Sequence, residues 1–509
     1  MVKRKIVIVG GGTAGWLTAA YLSQRLTGAG QAGLDITVVE SSDIPPIGVG
    51  EATVPTIRDT LAGIGISEYD FIRECDATFK NGIKFVQWNH PPETHPGEYY
   101  FHPFEKPLLV GTETMAGHWL KGRDPFGRTF EDAVGIQQQV AAKNLAPKRF
   151  DDRAYAGPLP YAYHLDAGKL AVMLRKNAIT KGVAHIIGTV KSVTSNPDGN
   201  IGTLLLEDDR VISGDVFIDC TGFLSLLIEK HYKAEFINMG HILLCDKALA
   251  FQIPCEEADY EIPPYTTATA QTAGWVWDIG LKNRRGTGYV YSSTHQSADE
   301  AEATYRKYIG PKADNMPIRS LNMNIGYRKK QWVKNCIAVG LSGGFLEPLE
   351  STGIHMIEVA LPMLVQMLPR YFKGGKPQDR YNEIMETQYE IVVDFIKLHY
   401  YLSSRQDSQF WRDNTSDHTA TKDLIKKVKS WEEGYPNIYD LKYIHSIFDH
   451  SSYQYVFFGM GRRPKTTIDL GECNVDLASK TFDNVHKAFL KAQTILPDHK
   501  KLINRIHMT

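Results

Sequence analysis

Cysteine is scarce in this chain: there are six residues in 509, and no Cys-x-x-Cys pair occurs. The six are Cys75, Cys220, Cys245, Cys255, Cys336 and Cys473. Zinc sites and disulfide frameworks need clustered or regularly paired cysteines, so this distribution argues against both. We therefore expect reduced thiols and a cytoplasmic protein.

The chain also lacks an excess of charge of either sign. Lys and Arg total 57 against 58 Asp and Glu, and the formal net charge of -1 offers no field to nucleic acid or to an anionic membrane. The residues after the basic group Lys3 to Lys5 imitate a signal peptide, but the glycines Gly10 to Gly12 interrupt them. No stretch approaches the roughly 20 apolar residues of a membrane span. We expect neither a nucleic-acid partner nor a membrane partner.

The N-terminal part has the pattern of a βαβ nucleotide-binding unit. Ile6 to Val9 forms a short β-branched strand, and Trp16 to Gln24 carries apolar residues at helical spacing. A linker of small residues from Thr27 to Gly33 then leads to a second strand, Ile36 to Val39, which Glu40 closes.

Between the first strand and the helix stands Gly10-x-Gly12-x-x-Gly15. The first glycine allows a tight turn, the second lets backbone N–H groups approach a pyrophosphate, and the third lets the helix pack on the strand. Glu40 ends the second strand, where a ribose hydroxyl would be held. The set predicts a bound dinucleotide, against the simpler interpretation of a glycine turn without a ligand.

The next elements favour FAD over a nicotinamide. Asp166 is a plausible N-cap for a helix that runs to Gly182. Three β-like stretches, 185–193, 201–206 and 210–212, predict a small meander, and the strand Val216 to Ile218 leads into Asp219-Cys220-Thr221-Gly222. No second Gly-x-Gly-x-x-Gly follows for a nicotinamide, so the electrons must come from elsewhere.

The rest of the chain completes the expected fold. Residues 52–160 suggest loops and short helices over a site, 245–330 suggest a mixed sheet, and the pattern after about residue 354 is predominantly helical. The fold class predicted is α/β, an FAD-binding Rossmann-like core of the flavin monooxygenase type with a mixed sheet and a helical C-terminal part. We divide it into an FAD-binding module, 1–355, and a helical part that covers the substrate, 356–509.

Several short motifs resemble those of the flavin-dependent halogenases of the tryptophan and indole type. They span about residues 1 to 460 and are Gly10-Gly11-Gly12-Thr13-Ala14-Gly15-Trp16, Gly48-Val49-Gly50-Glu51-Ala52-Thr53, Thr78-Phe79-Lys80, Phe101-His102-Pro103-Phe104, Tyr163-His164-Leu165-Asp166-Ala167, Asp219-Cys220-Thr221-Gly222-Phe223, Trp275-x-Trp277-x-Ile279 and Pro348-Leu349-Glu350-Ser351-Thr352-Gly353-Ile354. In that family, reduced FAD and oxygen oxidise a halide. The hypohalous acid formed then travels through the protein to a lysine beside the organic substrate.

The resemblance implies that Lys80 is this lysine. Taken by itself, Lys80 would be a solvated surface residue, as most lysines are. An amine can donate hydrogen bonds to hypohalous acid, or it can form a haloamine when neutral. The second route needs a buried lysine of depressed pKa, and the sequence leaves both open.

Glu350-Ser351-Thr352-Gly353 predicts a capped helix start, with Ser351 or Thr352 as the N-cap. The N–H groups of a helix N-terminus, equivalent to about half a positive charge, suit a halide anion. The resemblance implies that Ser351, Thr352 and Gly353 bind halide. It also implies that Glu350 faces the substrate, where it polarises the electrophile or removes the ring proton.

Trp275 and Trp277 are two residues apart and so share one face of a strand. As bare sequence they are core aromatics. The resemblance implies that they lie near the flavin and keep the organic substrate away from it. The family's proline after the isoleucine is Gly280 here, which weakens the motif slightly.

The glycine loop and the resemblance together assign the cofactor residues and the partners. The residues expected at FAD are Gly10, Gly12, Thr13, Ala14, Gly15, Trp16, Glu40, Gly50, Glu51, Ala52, Val190, Leu341 and Ile354. The other reactants implied are a halide ion, bromide or chloride, and a small aromatic substrate. A separate NAD(P)H-dependent flavin reductase is the implied protein partner, no metal is expected, and a homodimer is a candidate assembly.

The sequence indicates less about the substrate than about the cofactor. Candidates for its wall are Phe395, His399, Tyr400, Phe410, Trp411 and the stretch from Tyr453 to Met460, most of which also suit a core. Free-tryptophan halogenases hold the charged end of the amino acid with a stretch just ahead of Gly459-Met460-Gly461, and that clamp does not align here. The sequence therefore favours indole or another electron-rich arene over free tryptophan.

Two other functions remain open at this stage. An aromatic hydroxylase of the same flavin fold would need no lysine at position 80 and would be reduced directly by a nicotinamide. The other is a non-catalytic FAD-fold binding protein of the escort or inhibitor type. The intact glycine loop argues against it, and failure of the purified protein to retain flavin would favour it.

Overall fold

The computed structural model describes residues 3–26, 34–42, 50–110, 113–255, 260–314, 316–441, 447–465 and 474–508. The predicted linker from Thr27 to Gly33, the pair Gly48-Val49 and Cys473 lie outside these residues. The strands are β1 (Arg4–Val9), β2 (Leu34–Glu40), β3 (Gly50–Ala52), β4 (Thr78–Lys80), β5 (Gly82–Val86), β6 (Tyr99–Pro103), β7 (Leu109–Val110), β8 (Glu113–Thr114), β9 (Ala162–Asp166), β10 (Ala184–Ile187), β11 (Val190–Ser195), β12 (Ile201–Leu206), β13 (Val211–Ser213), β14 (Val216–Asp219), β15 (Phe236–Asn238), β16 (Lys247–Pro254), β17 (Thr266–Gln271), β18 (Gly274–Gly280), β19 (Arg284–Tyr291), β20 (Arg319–Asn322), β21 (Gly326–Arg328), β22 (Trp332–Val333), β23 (Cys336–Ala338) and β24 (Gly344–Phe345).

The helices are α1 (Thr13–Leu26), α2 (Ile57–Gly63), α3 (Glu68–Glu74), α4 (Met115–Leu120), α5 (Phe130–Val134), α6 (Gln137–Ala142), α7 (Ala167–Thr180), α8 (Ala298–Ile309), α9 (Thr352–Phe372), α10 (Gln378–Tyr401), α11 (Gln409–Asn414), α12 (Lys422–Ser430), α13 (His450–Gly459), α14 (Val475–Ile495) and α15 (His499–Met508).

The chain forms two compact units, and each combines three separate segments. Unit 1 consists of Met1–Ala77, Leu165–Gly240 and Met323–Glu390, and unit 2 of Thr78–His164, His241–Asn322 and Ile391–Thr509. The division at residue 355 that the sequence suggests follows the change to helical composition, and it stays a proposal.

Unit 1 is built on a six-stranded sheet with the order β10-β2-β1-β14-β23-β22. Neighbouring strands are parallel except at the β22 edge, and Val9 pairs with both Val39 and Asp219. Val7 and Phe217 pack against the antiparallel meander β11-β12-β13 on one face. Successive strand residues point to opposite faces, so the fully buried Ile6 and Ile8 face the other side. The structure thus confirms the predicted Rossmann-like core.

Two helices of this core, α1 and α7, follow the predictions closely. α1 begins directly after the glycines, and α7 begins after Asp166, whose Oδ1 accepts a hydrogen bond of 3.0 Å from the N–H of Lys169. This N-cap satisfies one of the N–H groups that a helix leaves without an intrahelical partner. The predicted end at Gly182 is confirmed by its positive φ of 86°, two residues after α7.

One predicted strand is wrong. The stretch 185–193 does not form a single strand of the meander. Ala184–Ile187 is β10, an edge strand parallel to β2 in the main sheet, and the meander begins at Val190. The chain changes sheets at Gly188, whose N–H donates to the carbonyl of Glu40 at 2.9 Å. Continuous β-branched composition does not reveal which sheet a residue joins.

Unit 2 contains a seven-stranded mixed sheet with the order β20-β16-β19-β18-β17-β5-β6. All its pairs are antiparallel except β17 with β5. α8 covers it through Ala301 and Tyr305, and its N-terminus carries a capping box of Ser297 and Glu300. The predicted strands between 245 and 330 are confirmed. The expectation of only loops and short helices over 52–160 is wrong for β5 and β6, which join this sheet.

One helical stretch, Leu349–Phe372, is long and apolar enough to cross a membrane by length and composition, with a mean hydropathy of 1.3. It includes α9, and 56% of its most apolar window is buried inside the protein. That burial is the pattern of a core helix.

Candidate functional site

The glycine loop of unit 1 has three distinct steric roles. A Cβ on Gly10, where φ is +112°, would lie 2.2 Å from the carbonyl oxygen of Cys220, and a Cβ on Gly15 would lie 1.9 Å from that of Gly10. Both contacts are far below any real separation, so neither position accepts a side chain. A Cβ on Gly12 would meet nothing within 4 Å. The open side at Gly12 is where a pyrophosphate would approach the backbone.

Glu40 lies against the same loop. Its Cδ would be 2.1 Å from a Cβ on Gly11, and His185 Nε2 is 2.9 Å from its Oε2. Val190 follows Thr189 in the chain. The Oγ1 of Thr189 forms a hydrogen bond of 2.7 Å with the Oγ of Ser41, the residue after Glu40 at the end of β2. Glu40 therefore lies against the loop, and Val190 comes directly after the residue bonded to Ser41; that either residue contacts a cofactor stays a prediction.

A buried carboxylate organises the turn after β14. Asp219 accepts hydrogen bonds from the N–H and hydroxyl of Thr221 and from the N–H groups of Leu227 and Ile228. It thereby joins the Thr221-Gly222 turn to the π-helical turn Leu226–His231. This role of Asp219 is not predicted from the sequence, although its motif and its place directly before a Thr-Gly turn are local signals of it.

Leu341 lies in a short 3₁₀ turn, Gly340–Ser342, that meets the start of α1. Gly340 has a φ of +75°, and a Cβ on it would be 2.7 Å from the Cβ of Ala14. The hydroxyl of Ser342 donates to the carbonyl of Asp219. The turn therefore brings Leu341 near the glycine loop.

The chain enters α9 through two residues in the left-handed region. Glu350 has φ 64° and ψ 6°, and Ser351 has φ 59° and ψ 38°, before Thr352 returns to the helical region. A left-handed residue followed by a right-handed one turns successive N–H groups towards one concave side, which is an anion-binding geometry. A Cβ on Gly353 would meet nothing within 4 Å, so this helix start is open, while Ile354 is buried. Ser351 is the N-cap residue of α9, one of the two positions predicted. The expectation of a side-chain cap is wrong there, because Ser351 makes no side-chain cap hydrogen bond.

A polar network behind this helix start ties it to α2. Thr56 Oγ1 is 3.0 Å from both His355 Nδ1 and Glu358 Oε2, and Thr60 donates to Glu358 Oε1 at 2.6 Å. The segment after β3 is thus held against α9. Sequence reasoning missed these four residues, because none of them stands in a recognisable local spacing.

Gly50, Glu51 and Ala52 form β3, which precedes Thr56 of that network in the chain. Desolvation raises the pKa of the Glu51 carboxyl to about 7. The protonated form of this carboxyl therefore persists to a higher pH than that of an exposed glutamate.

In unit 2, Lys80 is the last residue of β4, which pairs antiparallel with β9. Its side chain is fully buried, at 0% exposure, and its Nζ lies 5.3 Å from the centre of the Phe104 ring. A cation over an aromatic face is attracted by the ring quadrupole. The surface interpretation of Lys80 is therefore wrong.

Two buried histidines accompany this strand. The N–H of Phe79 donates to His499 Nε2 at 3.1 Å, and His499 Nδ1 is 2.7 Å from the carbonyl of Ile262. His164 Nε2 is 2.9 Å from Thr266 Oγ1. Desolvation lowers the pKa of His499 to about 4 and places that of His164 well below its usual value, so both rings are neutral.

Trp275 and Trp277 lie on one face of β18, as predicted. Trp275 is buried, with its ring centre 6.2 Å from that of Trp88. Trp277 is half-buried, and the absence of a side chain at Gly288 makes room for its ring. Their position beside a flavin stays a prediction.

The candidates for the substrate wall are mostly core residues. Phe395 stacks on Phe448 with ring centres 3.7 Å apart and meets the edge of Tyr453 at 5.0 Å. Phe410 and Trp411 are buried, and Trp411 Nε1 donates to the carbonyl of Gln271 at 2.9 Å.

The described residues fit a flavin and contain no group of His, Cys, Asp and Glu that could hold a metal ion. The open loop at Gly12, Glu40 at the end of β2 and the turn at Leu341 belong to unit 1, together with the start of α9. Lys80 and the two tryptophans belong to unit 2.

This fold and loop define a flavoprotein of the Rossmann-like FAD-binding class. The chain belongs to the tryptophan halogenase family, whose model matches residues 5–474. It is thus a flavin-dependent halogenase.

Relatives named as halogenases match this chain over most of their length. Tryptophan 6-halogenase ThaL of Streptomyces albogriseolus is 35% identical over 91% of this chain and 91% of its own length. Among solved structures, a tryptophan halogenase from Shewanella frigidimarina has a TM-score of 0.95 and 36% identity, covering 100% of this chain and 98% of its own. The flavin-dependent halogenase BrvH from Brevundimonas sp. has a TM-score of 0.86 and 34% identity, with 99% of both chains covered.

Proposed function

We propose that this enzyme uses reduced FAD, oxygen and bromide or chloride to make hypohalous acid, and that Lys80 delivers the halogen to an electron-rich arene such as indole. The observation that carries the proposal is the complete burial of Lys80 on β4. Lysine is almost never fully buried unless its amine has a task or a partner that offsets desolvation. The resemblance of Phe79-Lys80 to the family's catalytic-lysine segment supports the same role.

The start of α9 is the proposed halide site. Ser351 and Thr352 form the left-handed to right-handed turn, and Gly353 leaves open space beside their N–H groups. A monovalent anion there would be stabilised by the helix dipole and by oriented N–H groups. Glu350, directly before the turn and buried, is the proposed base for the ring proton.

FAD would be held by the residues that the sequence assigns, all of which belong to unit 1. Gly10, Gly12 and Gly15 shape the loop, Thr13, Ala14 and Trp16 begin α1, and Glu40 would hold the ribose. Gly50, Glu51, Ala52, Val190, Leu341 and Ile354 complete the set. The flavin supplies the activation of oxygen that oxidises the halide. Its reduction is assigned to a separate NAD(P)H-dependent flavin reductase, since the chain has a single dinucleotide fingerprint.

Trp275 and Trp277 are proposed to separate the organic substrate from the flavin. Their shared face on β18 and the burial of Trp275 support a rigid aromatic wall. Such a wall would favour halogenation over direct hydroxylation of the arene.

Indole is proposed in preference to free tryptophan, although several relatives are named tryptophan halogenases. No clamp for an ammonium and a carboxylate aligns ahead of Gly459, and residues 442–446 lie outside the described part of the chain. We also propose a cytoplasmic enzyme, in line with the free cysteines Cys75, Cys220, Cys245, Cys255 and Cys336. A homodimer is the assembly to test by light scattering.

The test is a product analysis. The purified enzyme is incubated with a flavin reductase, NADH, FAD, oxygen, indole and either bromide or chloride. The product is then analysed by mass spectrometry for the isotope pair of one added halogen. A hydroxylated product without halogen, or no product while the flavin is reduced and reoxidised, would contradict the proposal.

A further inference from the structure

His164 lies on the same face of the β4–β9 pair as Lys80. In the register of these antiparallel strands, Thr78 is opposite His164 and Lys80 is opposite Ala162. Residues 78 and 80 share one face, as do 162 and 164, because side chains alternate along a strand. Lys80 and His164 are therefore diagonal neighbours on the two strands. The Cα atoms of such a pair are about 7–8 Å apart, a distance that a long side chain can span.

One nitrogen of this histidine has a clear structural partner. Nε2 is 2.9 Å from the hydroxyl of Thr266 on β17. Thr78, the other polar residue of this face, is satisfied elsewhere, because its hydroxyl donates to the carbonyl of Gly280 at 2.6 Å.

The other ring nitrogen of His164, Nδ1, has no such partner among the described residues. This atom is also buried. Buried polar atoms are nearly always hydrogen-bonded, so an unpaired imidazole nitrogen in a fully buried residue calls for a physical reason. A small polar molecule bound beside it would supply one.

The chemistry of that molecule follows from the neutral ring. Burial and the nearby charge of Lys80 keep the pKa of His164 well below its usual value. A neutral imidazole carries one N–H and one lone pair, so Nδ1 offers one or the other, depending on which way the Thr266 bond runs. Hypohalous acid has one O–H and a lone-pair-bearing oxygen and can therefore pair with Nδ1 in either tautomer.

We propose that Nδ1 of His164 is the second hydrogen-bonding group for the hypohalous acid at Lys80. This inference rests on the proposed function of Lys80. A lysine amine alone holds the acid by a flexible stem, whereas a second bond from a fixed ring restricts its orientation and slows its escape. His164 thus retains the oxidant, and Lys80 presents it.

Two substitutions separate this role from a purely structural one. In His164→Asn the side-chain amide replaces Nδ1 but is too short to reach Thr266. In His164→Gln the terminal amide reaches the position of Nε2 and leaves no polar atom at Nδ1. A binding role predicts that the Asn variant stays functional and the Gln variant fails, and a structural role through Thr266 predicts the reverse.

The quantity to measure is the amount of brominated indole formed per flavin oxidised. Each variant is given reduced FAD, oxygen, bromide and indole, with taurine in solution to trap hypobromous acid that escapes. We expect brominated indole per flavin oxidised to fall about tenfold in His164→Gln, the factor of one hydrogen bond, with a matching rise in bromotaurine. In His164→Asn the brominated indole per flavin oxidised should stay within about twofold of the wild-type value, a smaller change than the loss of one hydrogen bond would cause.

The inference would be overturned if His164→Asn and His164→Gln gave the same amount of brominated indole per flavin oxidised, whether high or low. A decrease in His164→Asn alone would also overturn it. If the Gln variant does not fold, judged by circular dichroism and thermal melting, His164→Leu replaces it, because Leu also leaves no polar atom at the position of Nδ1. Leu and Asn both lose the bond to Thr266, so the binding role predicts more bromotaurine with Leu than with Asn. Equal bromotaurine in these two variants would likewise overturn the inference.

Failure of the proposed function itself has a different signature. In that case wild-type enzyme yields neither brominated indole nor bromotaurine. Failure of the His164 inference alone leaves wild-type product intact and leaves escape of the oxidant unaffected by the substitutions.

Discussion

The N–H of Phe79 donates to Nε2 of His499, 3.1 Å away, across 420 residues of sequence. Because Nε2 accepts this bond, the ring proton must be on Nδ1, where it is donated to the carbonyl of Ile262. A neutral His499 on α15 therefore holds the strand that ends in Lys80, and protonation of His499 would break the bond to Phe79.

This relationship predicts a pH dependence of stability. The pKa of His499 is about 4 in the folded protein, and desolvation is the main cause, against about 6.5 in the unfolded chain. Between these values only the unfolded chain binds the proton, so the free energy of unfolding falls as the pH drops from 6.5 to 4, by up to about 3 kcal/mol. His164 acts in the same direction. Urea unfolding at a series of pH values measures the loss.

His499→Gln provides the comparison, because its amide oxygen can still accept from Phe79 but does not titrate. We expect this variant to be less stable at pH 7, by about 1–2 kcal/mol, and to lose less stability on acidification. An unchanged slope between pH 6.5 and 4 would mean that another group carries the effect.

Lys80→Ala should abolish halogenation while flavin binding and oxygen consumption stay near the wild-type level. The reason is that Lys80 is assigned to delivery of the halogen and not to the flavin. We expect product formation to fall by at least about 10²-fold, the lower range for a positioned catalytic group. The matched control is Lys84→Ala on the neighbouring strand β5, whose Nζ lies over the Tyr99 ring at 4.2 Å. Loss of FAD from the Lys80 variant, or an equal loss of product in both variants, would contradict the assignment.

Two glycines of the loop should respond differently to a methyl group. Gly12→Ala fills open space, so stability should change by no more than about 0.5 kcal/mol. Its flavin affinity should fall about tenfold or more, because backbone bonds to a charged phosphate are weakened. Gly15→Ala drives a Cβ into the carbonyl of Gly10 and should destabilise the fold by about 1–3 kcal/mol. Flavin titration and urea unfolding distinguish the two, and wild-type flavin affinity in Gly12→Ala would place the phosphates elsewhere.

Nicotinamides should not reduce this enzyme directly. With one dinucleotide fingerprint, the chain has a site for FAD and no second loop for NADH or NADPH. Under anaerobic conditions the absorbance of bound flavin should persist after addition of either nicotinamide and bleach only when a flavin reductase is added. Rapid bleaching by a nicotinamide alone would favour the hydroxylase alternative.

Indole should be halogenated faster than free tryptophan, at its most nucleophilic carbon. Burying the ammonium and carboxylate of tryptophan without partners costs several kcal/mol, and indole has neither group. Bromide should serve at least as well as chloride, because it is more easily oxidised and less costly to dehydrate. A competition between equal concentrations of the two arenes, with each halide in turn, measures this. A preference for tryptophan and chloride at one benzo-ring carbon would reveal a clamp within residues 440–460.

Local patterns were enough to predict the nucleotide-binding half of this protein. The glycine loop, the strand that ends in Glu40 and the N-cap of Asp166 each depend on neighbours within a few residues, and spacing and residue type carry that information. The motif at Glu350–Gly353 located the start of α9 in the same way, although its two left-handed residues were not foreseen.

Only the tertiary structure decided the surroundings of Lys80. Its burial, the pairing of β4 with β9 that brings His164 to its face, and the bond from Phe79 to His499 all join residues far apart in sequence. The transfer of Ala184–Ile187 into the main sheet is of the same kind. Desolvation and strand register are properties of packing between distant segments, and no local spacing encodes them.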